Sequence, residues 1–232
     1  MIFGSISYLN LLPFQVYMKR RFGSTQFKQM TRWRRAVPSR INAQFARGYI
    51  DAAFISSVES AGCRCADLGI VADGAVQSVF LIQGEEMEDK ESSSSNALAK
   101  ALGMRGTVLI GDKALLYRLS GGEGTDLAQE WKRRTGLPFV FARLCFNPAG
   151  SSVRKIAAGF LSVNPKIPVY ILKKAAHEAG LSESELKWYL GHIGYRIGWR
   201  EKRSLDLFLK MTRRRGRRAL RHRPPLTGGR AR

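Results

Sequence analysis

Short apolar runs alternate along the chain with segments of helical periodicity, and this alternation predicts an α/β fold. Continuous apolar runs of about four to eight residues are typical of buried strands, whereas apolar residues three or four positions apart indicate helices. The runs that predict strands lie at residues 3–9, 25–30, 52–55, 68–71, 76–82, 107–110 and 139–142. Helical patterns follow most of them, which indicates a mostly parallel or mixed sheet.

Asn10 lies between the first predicted strand and a helix that opens with Leu11, Leu12 and Pro13. In open α/β sheets, ligands bind at the edge where strands end and helices begin. The amide of Asn10 can both donate and accept a hydrogen bond, so it could hold a hydroxyl or a carboxylate without adding charge. The pattern equally allows Asn10 to be a helix cap.

Serine hydroxyls follow or lie within other predicted strands. Ser56 and Ser57 end the run 52–55 and precede a helix, where they would form either an anion site or an ordinary cap. Ser78 lies in the run 76–82, facing either a cleft or a backbone carbonyl in the core.

Two further segments carry the same ambiguity. Ser94 and Ser95 belong to a four-serine stretch before an apolar helix, which could be a flexible linker or a carboxylate site at a helix N-terminus. Asp112 follows the run 107–110 and either caps the next helix or fixes a neighbouring active-site donor.

Composition divides the chain into two lobes. The acidic segment 84–91 indicates the crossing into a second lobe. We therefore predict a first lobe beginning with residues 1–82, a second lobe at 83–142, a helical return at 143–211 that packs on the first lobe, and a disordered arginine-rich tail at 212–232.

The net charge of +21 is concentrated in that tail. Residues 212–232 contain nine arginines and no acidic residue, and removing these nine charges leaves +12 on the rest of the chain. Long charge runs are commonly solvated, so we favour a non-specific tail over a dedicated nucleic-acid arm and expect no specific nucleic-acid partner. A basic body would steer small anions toward a cleft.

Several functional classes find no support. No apolar run is long enough to span a membrane, and Met1 leads into a strand without a basic region or a cleavage site, so we expect a cytoplasmic protein and no membrane partner. The three cysteines predict free thiols, and the scattered histidines predict no metal site. No glycine-rich nucleotide loop follows a strand.

Several segments, in this order, resemble the chorismate dehydratase family, which performs the first step of the futalosine route to menaquinone. The octapeptide at residues 7–14, Ser-Tyr-Leu-Asn-Leu-Leu-Pro-Phe, is similar to the family's N-terminal signature, and the later segments that agree lie at 50–59, 76–79, 110–115 and 135–142. Together they cover about residues 1 to 210.

The resemblance implies the two-lobe fold of type 2 periplasmic binding proteins, with a ligand cleft between the lobes. It also implies a lyase that removes water from chorismate to give 3-[(1-carboxyvinyl)oxy]benzoate without a cofactor. Asn10 and Ser78 match the family's catalytic Asn and Ser. The expected substrate-binding residues are Ser56, Ser57, Glu59, Ser94, Ser95 and Asp112.

Two points of this assignment stay open. The base is either one of chorismate's own carboxylates or Glu59, whose pKa a closed cleft would raise. Family members often have Thr-Ser where this chain has Ser94 and Ser95, which keeps the hydroxyl but weakens the inference for that contact. The alternative function is a solute-binding protein of the same fold without chemistry.

Overall fold

The computed structural model describes residues 1–31, 36–148, 152–163 and 165–221, and within them the strands form two sheets. The larger sheet has the order β1 (Phe3–Gly4), β2 (Ala52–Ser56), β7 (Phe139–Phe146), β3 (Cys65–Ala72) and β8 (Gly194–Arg196). The smaller has the order β5 (Thr107–Ile110), β4 (Val79–Ile82) and β6 (Thr125–Asp126). β1 and β2 are parallel, and the other paired strands are antiparallel.

Helices lie between most of the strands. They are α1 (Leu12–Thr31), α2 (Pro38–Ala46), α3 (Ser93–Leu102), α4 (Gly111–Leu119), α5 (Leu127–Thr135), α6 (Val153–Val163), α7 (Val169–Glu178), α8 (Glu183–Gly191) and α9 (Trp199–Arg221). A short 3₁₀ turn at Leu9–Leu11 precedes α1. The predicted α/β class is confirmed.

The core of the larger lobe is built around Phe14 on α1. Its ring lies 5.0 Å from that of Phe54 on β2 and 5.4 Å from that of Phe160 on α6, both in edge-to-face contact. All five residues of β2 are buried, as its continuous apolar sequence predicts. This packing fixes α1, and with it the turn that carries Asn10.

The last helix packs into a second aromatic cluster, which consists of Trp131, Phe139 and Phe208. Phe208 on α9 contacts Phe139 on β7, with ring centroids 4.9 Å apart, and Trp131 on α5, at 5.9 Å. Trp131 is fully buried, and its indole N–H donates to Ser204 Oγ at 2.9 Å. α9 contacts β7, a strand of the larger sheet, and α3, the helix that connects β4 and β5 of the smaller sheet. The C-terminal segment therefore packs on both lobes.

Two strand predictions at the N-terminus are wrong. Residues 25–30, predicted as a strand, continue α1 beyond a break at Gly23, whose φ of 69° interrupts the helical backbone. The strand predicted for 3–9 is limited to Phe3–Gly4, because the chain turns into the 3₁₀ segment.

The predicted lobe boundaries differ from the sheet boundaries by a few residues. β4 (Val79–Ile82), placed in the first lobe by sequence, pairs with β5 and β6 in the smaller sheet. β7 (Phe139–Phe146), which begins inside the predicted second lobe, lies entirely in the larger sheet. The acidic segment 84–91 is therefore a connection within the second lobe, and the crossings lie at about residues 73–77 and 136–138.

The predicted disordered tail begins too early. The backbone of residues 212–221 is helical and completes α9, whereas residues 222–232 lie outside the described part of the chain. Among the described residues, no helix combines the length and the apolar composition needed to cross a membrane.

The prediction that all three cysteines are free thiols is also wrong. Cys65 on β3 and Cys145 on β7 form a disulfide, because the antiparallel register places them directly opposite each other with their Cα atoms 3.9 Å apart. Cys63 keeps a free thiol. Sequence spacing could not identify this pair, since the two residues are 80 positions apart.

Candidate functional site

The two predicted catalytic residues meet at one buried hydroxyl. Tyr189 on α8 donates a hydrogen bond to Ser78 Oγ at 3.0 Å, and the Asn10 side chain lies close enough to the same hydroxyl to lower its pKa, against the larger rise caused by burial. Tyr189 is 0% exposed and Ser78 2% exposed, whereas Asn10 is partly exposed. The first and second lobes therefore bring Asn10 and Ser78 together.

The main chain of Asn10 is also held by a hydrogen bond. Its carbonyl oxygen accepts a hydrogen bond from the Tyr195 hydroxyl at 2.6 Å. Asn10 lies inside the 3₁₀ turn, whose N-cap residue is Tyr8. Asn10 is therefore not the N-cap of this turn, which disfavours the capping alternative.

The turn before β4 positions Ser78. Gln77 adopts a left-handed backbone conformation with φ of 65°, which is uncommon for a residue with a side chain. Its N–H donates to the Asp126 carboxylate at 2.8 Å, and the Ser78 carbonyl accepts from the Gly111 N–H at 2.9 Å. Non-glycine residues with this backbone conformation cluster at functional sites, where surrounding contacts maintain them.

Asp112 joins the two lobes beside this turn. Its carboxylate accepts a hydrogen bond from the Leu9 N–H at 3.3 Å, although Leu9 belongs to the first lobe and Asp112 to α4. The neighbouring Tyr8 hydroxyl donates to Glu91 at 2.5 Å. The sequence left open whether Asp112 caps a helix or fixes a neighbour, and this contact supports the second alternative.

Burial shifts the ionisable groups around the site toward their neutral forms. Desolvation raises the pKa of Asp112 to about 6, against a smaller lowering by the Leu9 hydrogen bond. Desolvation likewise raises the pKa of Tyr189 and that of Tyr8 above their usual range, and Glu91 adds to the effect on Tyr8. The two phenols therefore act as hydrogen-bond donors at neutral pH, and neither can serve as a base.

A second junction between the lobes contains Ser57 and Ser94, whose hydroxyl oxygens lie 3.1 Å apart. Ser57 Oγ is also 2.5 Å from the carbonyl oxygen of Val140. Because a hydroxyl has one proton, Ser57 donates to Val140 and accepts from Ser94. Both serines are buried, and Ser94 lies in the first turn of α3, where free N–H groups favour an anion.

Ser95 and Ser56 each form hydrogen bonds with a residue of their own lobe. Ser92 is the N-cap of α3, accepting from the Ser95 N–H at 3.2 Å while its hydroxyl donates to Ser95 Oγ at 2.9 Å. The serine stretch is thus the start of a helix, which rejects the linker alternative. Ser56 Oγ accepts from the Asn42 side chain at 2.9 Å, and the Ser56 N–H donates back to the same amide at 3.2 Å.

Glu59 lies on a different part of the surface. It is exposed and lines a cavity of about 340 Å³ together with Cys63 and Arg64, in which neither Asn10 nor Ser78 takes part. The structure thus does not group Glu59 with the other predicted residues.

Sequence reasoning missed Tyr189, Asp126 and Tyr8. Tyr189 lies on the buried face of α8, and a tyrosine there requires a partner for its hydroxyl. That requirement indicates that a polar partner exists but does not identify it. The partner comes from a segment 111 residues earlier in the chain, and only the fold brings the two together.

Two sequence comparisons with known proteins point to the same family. A family model described as menaquinone biosynthesis matches residues 1–105 and 91–214. A protein named chorismate dehydratase from Campylobacter jejuni subsp. jejuni serotype O:23/36 (strain 81-176) is 40% identical over 215 residues, which are 90% of this chain and 96% of that protein.

Solved structures support the fold. Protein AF1704 from Archaeoglobus fulgidus superposes with a TM-score of 0.65, covering 92% of this chain and 97% of its own. The periplasmic aliphatic sulphonate-binding protein SsuA from Escherichia coli gives a TM-score of 0.54, covering 95% of this chain and 87% of its own. Each is 12% identical to this chain, so each supports the two-lobe binding-protein-like fold alone.

The sequence match extends over the segments that carry Asn10, Ser78, Asp112 and Tyr189, and the fold brings these residues to one place between the lobes. The chain belongs to the chorismate dehydratase family of menaquinone biosynthesis.

Proposed function

We propose that this protein dehydrates chorismate to 3-[(1-carboxyvinyl)oxy]benzoate in the futalosine route to menaquinone. The observation that carries the proposal is the convergence of Asn10 and Ser78, from two lobes, on the Tyr189 hydroxyl. The 40% identity to the Campylobacter jejuni protein supports the choice of reaction. We also propose a cytoplasmic location, as expected for a biosynthetic enzyme of this family.

The reaction makes modest chemical demands on the protein. The ring C–O bond to the hydroxyl breaks, the neighbouring ring carbon that bears the ether loses its proton, and the ring becomes aromatic as water leaves. Aromatisation supplies the driving force, so the protein has to orient the ring and stabilise the charges that develop.

Asn10 and Ser78 fit these two tasks. We assign Asn10 to orienting the substrate hydroxyl or a carboxylate, since its amide has donors and an acceptor. Ser78 would hydrogen-bond the departing hydroxyl. Because Tyr189 donates to Ser78 Oγ, the proton of Ser78 remains free for a donor role.

A substrate carboxylate is the base that best fits the site. Asn10 and Ser78 are not basic at neutral pH, and Glu59 is exposed on another surface. We therefore propose that one of chorismate's own carboxylates accepts the ring proton. Ser94, at the start of α3, is the proposed ligand of a carboxylate once separation of the lobes releases its proton from Ser57, and Ser57 and Ser95 lie beside it.

Substrate entry requires the lobes to separate. Ser78 and Tyr189 are buried, and contacts such as Leu9 to Asp112 and Ser57 to Ser94 join the two lobes. Hinge opening and closure around a ligand is the usual motion of two-lobe binding-protein folds. Closure would exclude water while the ring aromatises.

The test is turnover of chorismate, measured through the ultraviolet absorbance of the aromatic product. We expect the wild-type protein to form product and Asn10→Ala and Ser78→Ala to lose at least about 100-fold in kcat, the scale of removing a group that stabilises a transition state. Circular dichroism and thermal melting establish that each variant is folded. Saturable chorismate binding by calorimetry without product would instead indicate the solute-binding alternative.

A further inference from the structure

Tyr189 differs from an ordinary core residue in what its hydroxyl contacts. Its ring is fully buried on α8, and its hydroxyl contacts the side chains of Ser78 and Asn10, which come from different lobes. We propose that Tyr189 is a positioning residue for the dehydration, which fixes the side chains of Ser78 and Asn10 through its hydroxyl. This inference rests on the proposed function.

The direction of the hydrogen bond gives Tyr189 a specific effect. Tyr189 donates to Ser78 Oγ, so one lone pair of Ser78 is occupied and its own proton is directed elsewhere. Hydrogen bonds in a chain polarise one another, which makes the Ser78 O–H a stronger donor. Tyr189 keeps its proton throughout, because burial raises the pKa of its phenol.

The C-terminal segment holds Asn10 at two points. Tyr189 contacts its side chain, and Tyr195 donates to its carbonyl oxygen at 2.6 Å. Both tyrosines come from the region around α8 and β8, which packs back on the first lobe. Asn10 is therefore held in place by residues distant in sequence.

A second buried tyrosine provides a matched comparison. Tyr17 on α1 is 6% exposed, its ring packs edge to face on Phe160, and within the described residues its hydroxyl has no hydrogen-bond partner. Tyr17→Phe removes a buried hydroxyl without breaking a hydrogen bond at the site. Tyr189→Phe removes the hydroxyl that joins Ser78 and Asn10 and keeps the ring.

The experiment compares kcat and KM for chorismate in the wild type, Tyr189→Phe and Tyr17→Phe. We expect Tyr189→Phe to lower kcat by roughly 10-fold to 100-fold with KM changed by less than about 3-fold, because an interaction that acts mainly in the transition state affects kcat. Tyr17→Phe should match the wild type in both constants. An equal kcat in both variants, or a rise in KM alone, would overturn the positioning role.

A double variant separates positioning from a general loss of packing. If Tyr189 acts through Ser78, Tyr189→Phe should lower kcat much less in a Ser78→Ala background than in the wild type, since coupled residues are not additive. A purely structural tyrosine would give the same fold-loss in both backgrounds. Thermal melting establishes that the double variant is folded. Removing both hydrogen-bond partners together leaves fewer unpaired polar groups than removing one.

The outcomes distinguish the two proposals. Absence of product from both the wild type and Tyr17→Phe would refute the proposed reaction and the role of Tyr189 with it. Product formation by the wild type together with unchanged kinetics of Tyr189→Phe would refute the role of Tyr189 alone.

Discussion

Asp112 illustrates how burial sets the charge of a single site residue. Its carboxyl lies at the first turn of α4 and accepts the Leu9 N–H from the other lobe. Desolvation raises its pKa to about 6, so Asp112 is mainly anionic at pH 7 and becomes neutral below about pH 6. Protonation of Asp112 would reduce repulsion of a doubly anionic ligand beside it.

The raised pKa predicts a pH-dependent contribution to stability. The folded protein binds the Asp112 proton more tightly than the unfolded chain, whose carboxyl titrates near 4, so this contribution is present below about pH 4 and is lost as the pH rises to about 6. Asp112→Asn cannot titrate. We expect its free energy of unfolding, relative to the wild type, to rise by up to about 2–3 kcal/mol between pH 4 and pH 7.

Urea unfolding at a series of pH values measures this difference. Asp73→Asn is an informative control, because a hydrogen bond to Lys132 is the main cause that lowers the pKa of Asp73. For this variant, the difference in unfolding free energy from the wild type should change with pH in the opposite direction and at lower pH. A difference between Asp112→Asn and the wild type that does not vary with pH would contradict the assignment.

At the scale of elements, the junction of β5 and α4 positions Ser78. Gly111 has φ of 67°, and its N–H donates to the Ser78 carbonyl at 2.9 Å. A Cβ at this position would lie 3.0 Å from the Tyr8 ring. The turn therefore needs glycine both for its left-handed backbone and for the close approach of the other lobe.

We expect Gly111→Ala to destabilise the fold and to reduce turnover by displacing Ser78. Gly136→Ala is the matched control, because Gly136 has a similar φ of 69° but no atom within 4 Å of an added Cβ. Gly111→Ala should cost roughly 1–3 kcal/mol more than Gly136→Ala, the usual range for overpacking. Urea unfolding and chorismate turnover measure both effects, and equal losses of stability would mean that Tyr8 does not crowd this position.

At the scale of the whole molecule, the Cys65–Cys145 disulfide encloses the second lobe. The chain leaves the larger sheet after β3, forms the smaller sheet, and returns in β7, and the disulfide joins the two strands across 80 positions. Closing so long a loop restricts the unfolded chain more than the folded one.

We expect reduction to lower the free energy of unfolding by about 4.5 kcal/mol, the chain-entropy value for a loop of this length. Urea unfolding with and without a reductant measures the difference, and Cys63→Ser should show the same difference because Cys63 is free. Thiol titration of the unreduced, unfolded protein should find one thiol. Three thiols, or an identical midpoint with reductant, would refute the disulfide.

The sequence predicted local features well and pairings poorly. The apolar run at β2 is predicted correctly, because a strand buried on both faces is encoded by its local sequence. The strand predicted at 25–30 failed, since packing extends α1 there past Gly23. Asn10 and Ser78 were identified by resemblance, and their convergence could not be derived from spacing.

The sequence by itself determined the α/β class, the family and the residue types available for chemistry, because hydrophobic periodicity and motif order are properties of the chain. Tertiary structure alone decided that Tyr189 joins Asn10 to Ser78, that Glu59 lies elsewhere, and that Cys65 pairs with Cys145. These facts depend on strand register and on the contact between lobes, which bring together residues separated by 80 or more positions.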